Sequence, residues 1–141
     1  MTAIKSYQYT GVALVEQIAY VSCDSGGPFG TDYRSASKDV RLPDGYIWLS
    51  CSVRATRHAG SCGYGVTAYF KDGSYKVIAQ GNTNGIQASI PLSNVLTTAQ
   101  IADIDYIRIS CWASGGDSSD SGSSACGSAG VNALKSPWQA V

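Results

Sequence analysis

Tyr46-Ile47-Trp48-Leu49-Ser50-Cys51 and, further along, Tyr106-Ile107-Arg108-Ile109-Ser110-Cys111 share one pattern, and that pattern decides the fold class. Successive side chains of a strand point to opposite faces, so both copies sort in the same way. Ile47, Leu49, Cys51 and Val53 fall on one face of the first copy, and Ile107, Ile109, Cys111 and Ala113 on one face of the second. The opposite faces carry Tyr46, Trp48, Ser50, Ser52 and Arg54, and Tyr106, Arg108, Ser110 and Trp112. One side is built for a core, and the other sets aromatic rings beside arginines and hydroxyls. The reading predicts strands over 46–57 and 105–113, with Ile47, Leu49, Cys51, Val53, Ile107, Ile109 and Cys111 buried. On that reading Leu49→Ala costs about 2–5 kcal/mol.

Working outward, Asp72-Gly73 between two strand patterns predicts a two-residue hairpin. Closing it at Lys71 and Ser74 sets Phe70 opposite Tyr75, Ala68 opposite Val77 and Val66 opposite Ala79, with Ile78 as the one misfit. Further strands are expected at 12–22 and 64–70, and residues 1–10 read as an arm or a short edge strand. Ile86, Ala88 and Ile90 alternate into another strand, which Pro91 ends or marks as an edge. Residues 24–45 read mostly as loop, punctuated by Gly26, Gly27, Pro28, Gly30, Pro43 and Gly45. One or two helical turns fit 94–103. Residues 114–130, rich in Ser and Gly, read as a long flexible loop, because so few apolar groups cannot offset the entropy of ordering. Val131, Leu134, Pro137 and Trp138 are apolar enough to dock back as a final strand or tail, so deleting 131–141 is expected to weaken association more than folding. Many strands between polar turns make the chain all-β, a single antiparallel β-sandwich of jelly-roll type over 1–141.

A chain of 141 residues is one ordinary domain. Its apolar stretch Val12–Tyr20 is interrupted by Glu16 and Gln17, which reads as a buried strand and not as a signal peptide or membrane span. Ten basic and ten acidic residues cancel and are scattered, which argues against nucleic acid or anionic membrane as partners. Charged residues make up 14% of the chain, against about 25% in a typical soluble domain. Hydroxyl and amide groups must carry solubility, a surface suited to extracellular or virion β proteins. Five cysteines leave at least one unpaired, which favours reduced thiols. A Cys51–Cys111 disulfide is conceivable if their strands are neighbours, and two buried thiols are the expected outcome.

No motif supplies a reaction. Cys23-Asp24-Ser25-Gly26-Gly27-Pro28 resembles the box around the nucleophile of chymotrypsin-like serine proteases. In that family the histidine precedes the serine, whereas the single histidine here, His58, follows Ser25, and no room remains upstream for a first barrel. Turn geometry explains the same residues, and Ser25 is not expected to be a nucleophile. His58 with Cys51 and Cys62 lacks the close ligand pairs of a zinc site. Asp117-Ser118-Ser119-Asp120 lacks the spacing of a calcium loop. Glu16 is the one glutamate, and no spacing pairs the aspartates as glycosidase carboxylates. No glycine loop cradles a phosphate. The expectation is no enzyme, no metal and no cofactor. The aromatic faces remain: Tyr46, Trp48, Arg54, Tyr106, Arg108 and Trp112 combine flat rings with aimed polar groups, as sugar sites do. Packing under loops or a subunit interface explains the same residues, and both readings stand.

Tyr69-Phe70-Lys71-Asp72-Gly73-Ser74-Tyr75, then Ile90-Pro91-Leu92-Ser93, then Tyr106-Ile107-Arg108-Ile109-Ser110 resembles the sandwich domains of bacteriophage fibres and related sugar-binding modules. The likeness is one of strands and turns and transfers no binding residue. It implies a non-enzymatic virion surface protein, such as a fibre, receptor-binding or capsid-decorating domain. Such a protein is made in the host cytoplasm and assembles as a homotrimer with other virion proteins, with cell-surface glycan as ligand. A secreted lectin-like carbohydrate-binding module is the alternative.

Overall fold

The computed structural model describes residues 6–9, 11, 13–26, 33–57, 60–114 and 124–140. Among the described residues ten strands follow one another: β1 (Tyr7–Tyr9), β2 (Leu14–Gly26), β3 (Tyr33–Val40), β4 (Tyr46–Arg57) and β5 (Ser61–Phe70) come first. β6 (Tyr75–Gly81), β7 (Ile86–Pro91), β8 (Ile104–Ser114), β9 (Ser124–Lys135) and β10 (Trp138–Ala140) complete them. A 3-10 turn (Leu92–Asn94) and a short helix α1 (Thr98–Ala102) separate β7 from β8. Thr97 caps α1: its hydroxyl accepts from the Gln100 amide at 3.1 Å, and the Gln100 side chain accepts from Thr97 N–H at 2.8 Å.

Two four-stranded antiparallel sheets pack face to face, the first ordered β2-β9-β4-β7 and the second β3-β8-β5-β6. The pairing is nested. β5 pairs with β6, β4 with β7, β3 with β8, β2 with β9, and β1 with β10 as a separate ribbon. Folding such a nested ribbon over itself makes the double-sheet jelly roll. Both copies of the repeated pattern are inner strands, β4 of the first sheet and β8 of the second.

The core is a wedge. At one end Trp48, Val66, Phe70, Leu92, Leu96, Ile104, Ile107, Ile109 and Val131 are buried together, roofed by the α1 segment. At the other end the buried set is Cys23, Ala55, Cys62, Cys111, Ala113 and Ala125, all small. The sheets converge where the side chains are small: a Cβ on Gly127 would overlap the Gly63 carbonyl oxygen and stand 2.7 Å from that of Trp112.

Ile107, Ile109 and Cys111 are buried as read from the alternation, and so are Cys51 and Val53. Upstream of Cys51 the alternation is overturned. Trp48 pairs with Ala133 and Ser50 with Asn132, so Leu49 is the extra residue of a β-bulge. The bulge reverses the faces before it: Trp48 is 7% exposed and Ile47 is 54% exposed. Leu49 itself is only half-buried, so its truncation is not a core deletion. A second bulge, at Ile18 between Gln17 and Ala19, lies beside the same stretch of β9. Together they turn Val15 and Ile47 outward as the partners of Leu134.

The hairpin has three loop residues, not two. The Phe70 amide donates to Ser74 O at 2.8 Å, and Gly73 N–H donates to Phe70 O at 2.9 Å. Gly73 sits at φ +89°, in the left-handed region that favours glycine. Asp72 accepts from the Ser74 amide at 2.8 Å and holds the turn. Tyr69 therefore faces Tyr75 and Thr67 faces Val77, while Ile78 is a bulge residue that enters the core at 8% exposure.

Two stretches read as loop are strand. β2 runs on to Gly26 and β3 occupies Tyr33–Val40; β3 is a polar edge strand in which Val40 alone is buried. Within 114–130, Ser124–Gly130 belongs to β9, an inner strand of the first sheet; 115–123, with the Asp117–Asp120 run, lies outside the described residues. Ala, Gly and Ser are what a strand needs where sheets converge. Because Val131 and Ala133 are fully buried in β9, deleting 131–141 removes core, which overturns the expectation that association would suffer first. β4 and β8 lie in different sheets, so Cys51 and Cys111 are not partners. The Cys111 thiol instead meets Cys23 across the sheets, Sγ to Sγ 2.9 Å, and all five cysteines are free. Ser25 faces the core at 1% exposure with no partner for its hydroxyl among the described residues; His58 lies outside them.

Candidate ligand-binding site

The six residues singled out in the sequence go to three places. Tyr46 and Trp48, at the start of β4, line a cleft of about 560 Å³ at the wide end of the wedge, with Leu42, Ile101 and Ile104. Three of its polar groups already have partners. Arg41 pairs with Asp105 at 2.5 Å, and the Tyr46 hydroxyl donates to Glu16 Oε2 at 2.6 Å. That hydrogen bond to a carboxylate pushes the Tyr46 hydroxyl above its ordinary pKa.

Tyr106, Arg108 and Trp112 share the outer face of β8. Tyr69 of β5 joins them, stacked on Tyr106 with centroids 4.8 Å apart and planes 10° from parallel. Tyr75 continues the row at 5.7 Å from Tyr69. Arg108 lies over the Tyr69 ring at 5.0 Å and grips Asp39 with two hydrogen bonds, Nε to Oδ1 at 2.7 Å and a second amino group to Oδ2 at 3.1 Å. The bond from Arg108 holds the Asp39 carboxyl below its ordinary range. Trp112 lies over Gly63, where a Cβ would come within 2.7 Å of its indole nitrogen. This face is knit to itself: Arg108 has a carboxylate on its edge and a ring on its face.

Arg54 belongs to a third surface, the outer face of the first sheet. Register builds it in rows. Tyr20, Gly130, Ser52 and Ser89 form one row across β2, β9, β4 and β7, and Ser22, Ser128, Arg54 and Gln87 form the next. Between them runs a trough of about 330 Å³ with Tyr20 on one wall, Arg54 and Gln87 on the other, and Ser128 in the floor. Gly130 lets Tyr20 lie low against the sheet, since a Cβ there would sit 3.2 Å from the ring. Asn132 donates to Ser50 Oγ at 3.1 Å and Ser52 Oγ at 3.0 Å, which leaves the Ser52 hydroxyl hydrogen for another acceptor. Among the described residues Arg54, Gln87, Ser89 and Tyr20 make no side-chain hydrogen bond or ion pair. Sequence reading found Arg54 and missed the rest. Their alternation was visible strand by strand, but only the topology brings four distant segments side by side. Among the described residues no cluster of His, Cys, Asp and Glu is placed to hold a metal ion.

No protein-family model and no curated protein matches the chain. Among solved structures it is similar to that of infectious bursal disease virus Gt strain, at 17% identity and TM-score 0.32 over 87% of this chain and 32% of that one. It is also similar to infectious bursal virus derived T=1 particles, at 17% identity and TM-score 0.34 over 86% and 31%. A third is the VP2 subviral particle of infectious bursal disease virus, at 13% identity and TM-score 0.28 over 86% and 32%. The chain spans about a third of the length of these matched chains.

Proposed function

We propose that this jelly roll is a non-enzymatic surface domain of a virion, a fibre, receptor-binding or capsid-decorating module that attaches to glycan on a host cell. The observation that carries the reading is the trough, where Arg54, unlike Arg108 and Tyr46 of the predicted set, has no hydrogen-bond partner among the described residues and stands beside an aromatic wall. A ring that accepts the apolar face of a sugar, ringed by hydroxyl, amide and guanidinium groups on rigid strands, is the chemistry of a carbohydrate site. Jelly rolls serve both capsids and lectins, so the fold does not choose between virion and secreted module. A specific feature favours assembly. Val15 and Ile47, 62% and 54% exposed, flank Leu134 in an apolar row on the sheet surface. Just past the end of β9, Tyr9 and Trp138 meet with ring centroids 5.0 Å apart and planes tilted by 54°, both side chains more than half exposed. Association covers such area, and the fibre resemblance points to a closed trimer with other virion proteins around it.

A glycan array probed with the full chain, beside light scattering at high micromolar concentration, tests the reading. Wild type is expected to retain glycans and to self-associate, and Tyr20→Ala to weaken retention at least about 3-fold. A folded chain that retains no glycan overturns the attachment role. A monomer that binds glycan moves the protein to the lectin alternative.

A further inference from the structure

We infer that the sugar taken by the trough is acidic, its carboxylate or sulfate held by Arg54; this rests on the glycan reading above. Arg54 is exposed and, among the described residues, unpaired, whereas Arg41 and Arg108 each hold a carboxylate. Among the described residues it is the one charged side chain lining the trough. Asp24 shares this face but stands one row beyond, across from Cys126, whose thiol it contacts. The guanidinium is the one group of the lining that donates without accepting; the hydroxyls and the amide do both. The guanidinium brings five N–H groups, and Ser52, Ser89, Ser128, Gln87 and Tyr20 add hydroxyl and amide hydrogens. Neutral sugars offer and ask for hydrogen bonds in similar measure. An anion asks only for donors, and a planar guanidinium grips a carboxylate or sulfate through two parallel bonds.

Geometry adds a length. Tyr20 and Arg54 are two strands and one row apart, roughly 12 Å between Cα atoms at ordinary sheet spacing. That span suits a ring resting at Tyr20 with its acidic substituent, or an acidic neighbouring ring, at Arg54. Strand backbones set both ends, so the separation is fixed before the ligand arrives.

Titration calorimetry of the full chain with lactose, 3′-sialyllactose and 3′-sulfolactose tests this, repeated with Arg54→Gln. The acidic sugars are expected to bind at least about 10-fold tighter than lactose, the worth of a charge-assisted hydrogen-bond pair. Arg54→Gln should erase that preference, so that lactose and the two acidic sugars bind within about 3-fold of one another. Preference for one acidic sugar over the other identifies carboxylate or sulfate as the group held. Equal affinity for neutral and acidic sugars, or a preference that survives Arg54→Gln, overturns the inference while the glycan reading stands. A folded chain that binds none of the three overturns both. Arg54 is exposed on a strand, and circular dichroism confirms that the variant is folded.

Discussion

On the inner face of β9, Gly127 lies against the backbone of Gly63 in the facing sheet, so closely that the smallest side chain at 127 would overlap the Gly63 carbonyl oxygen. Neither partner is a flexible side chain able to swing away. Gly127→Ala must therefore part the sheets at their narrow end. Overpacking of this kind costs about 1–3 kcal/mol, and the rigid neighbours place it at the upper end. Urea denaturation should show the loss as a lower midpoint with an unchanged slope.

The bulge at Leu49 makes a second prediction, one that reverses the order expected from simple alternation. Trp48→Ala should cost about 3–5 kcal/mol, and Ile47→Ala no more than about 0.5 kcal/mol. The same denaturation experiment separates them. Comparable losses at both positions would mean that β4 runs straight through Leu49 without a bulge.

Acid should act through Asp39. Its carboxyl is held below the ordinary range by the bond from Arg108, so the folded state favours the charged form. The stabilisation is complete above the unfolded pKa and is lost as pH falls through the folded one. Arg108→Gln should lower the urea midpoint at about pH 6 and make no difference by about pH 2. Both side chains are nearly half exposed, so added salt should shrink the effect. A difference that persists unchanged into acid would assign Arg108's role to its stacking on Tyr69.

The thiols should divide by burial. Cys23, Cys51, Cys62 and Cys111 are buried, while Cys126 is partly exposed on the outer face of β9. Burial pushes Cys51 up to about 11, and burial with Asp24 beside it pushes Cys126 up to about 11. Ellman's reagent should label one thiol slowly in native protein, faster as pH rises and thiolate forms, and all five only on unfolding. Rapid labelling of a second thiol in native buffer would contradict the placement of the core.

These experiments touch the places where the sequence was least readable. From Cys51 onward β4 follows its alternation, as does β8 from Tyr106 onward, because each inner strand buries one whole face. Ile47 and Trp48 were assigned to the wrong faces because a bulge has no signature in a period of two. β3 escaped notice because an edge strand with Ser35, Ser37 and Asp39 on its wet face has little apolar content. The first half of β9 reads as loop because Ala125, Gly127 and Ala129 resemble a linker, although smallness is what their position requires. The trough was legible only at Arg54. Tyr20, Ser128 and Gln87 become its neighbours through pairings between strands far apart in the chain.

The nested pairing bears on how the protein is made. Every described ladder joins a strand before the Asp72-Gly73 turn to a strand after it; none of β1 to β5 pairs with another of these five. Ribosomes add roughly 5–20 residues per second, so for several seconds the first half emerges with no strand able to receive it. Its apolar segments wait unpaired, and folding starts only once β6 appears and closes on β5. From there each newly made strand finds a partner made progressively earlier, and β1, the first out, is the last to be matched. A nascent chain stalled at midpoint should thus be sensitive to protease along its whole length, whatever the stability of the finished domain.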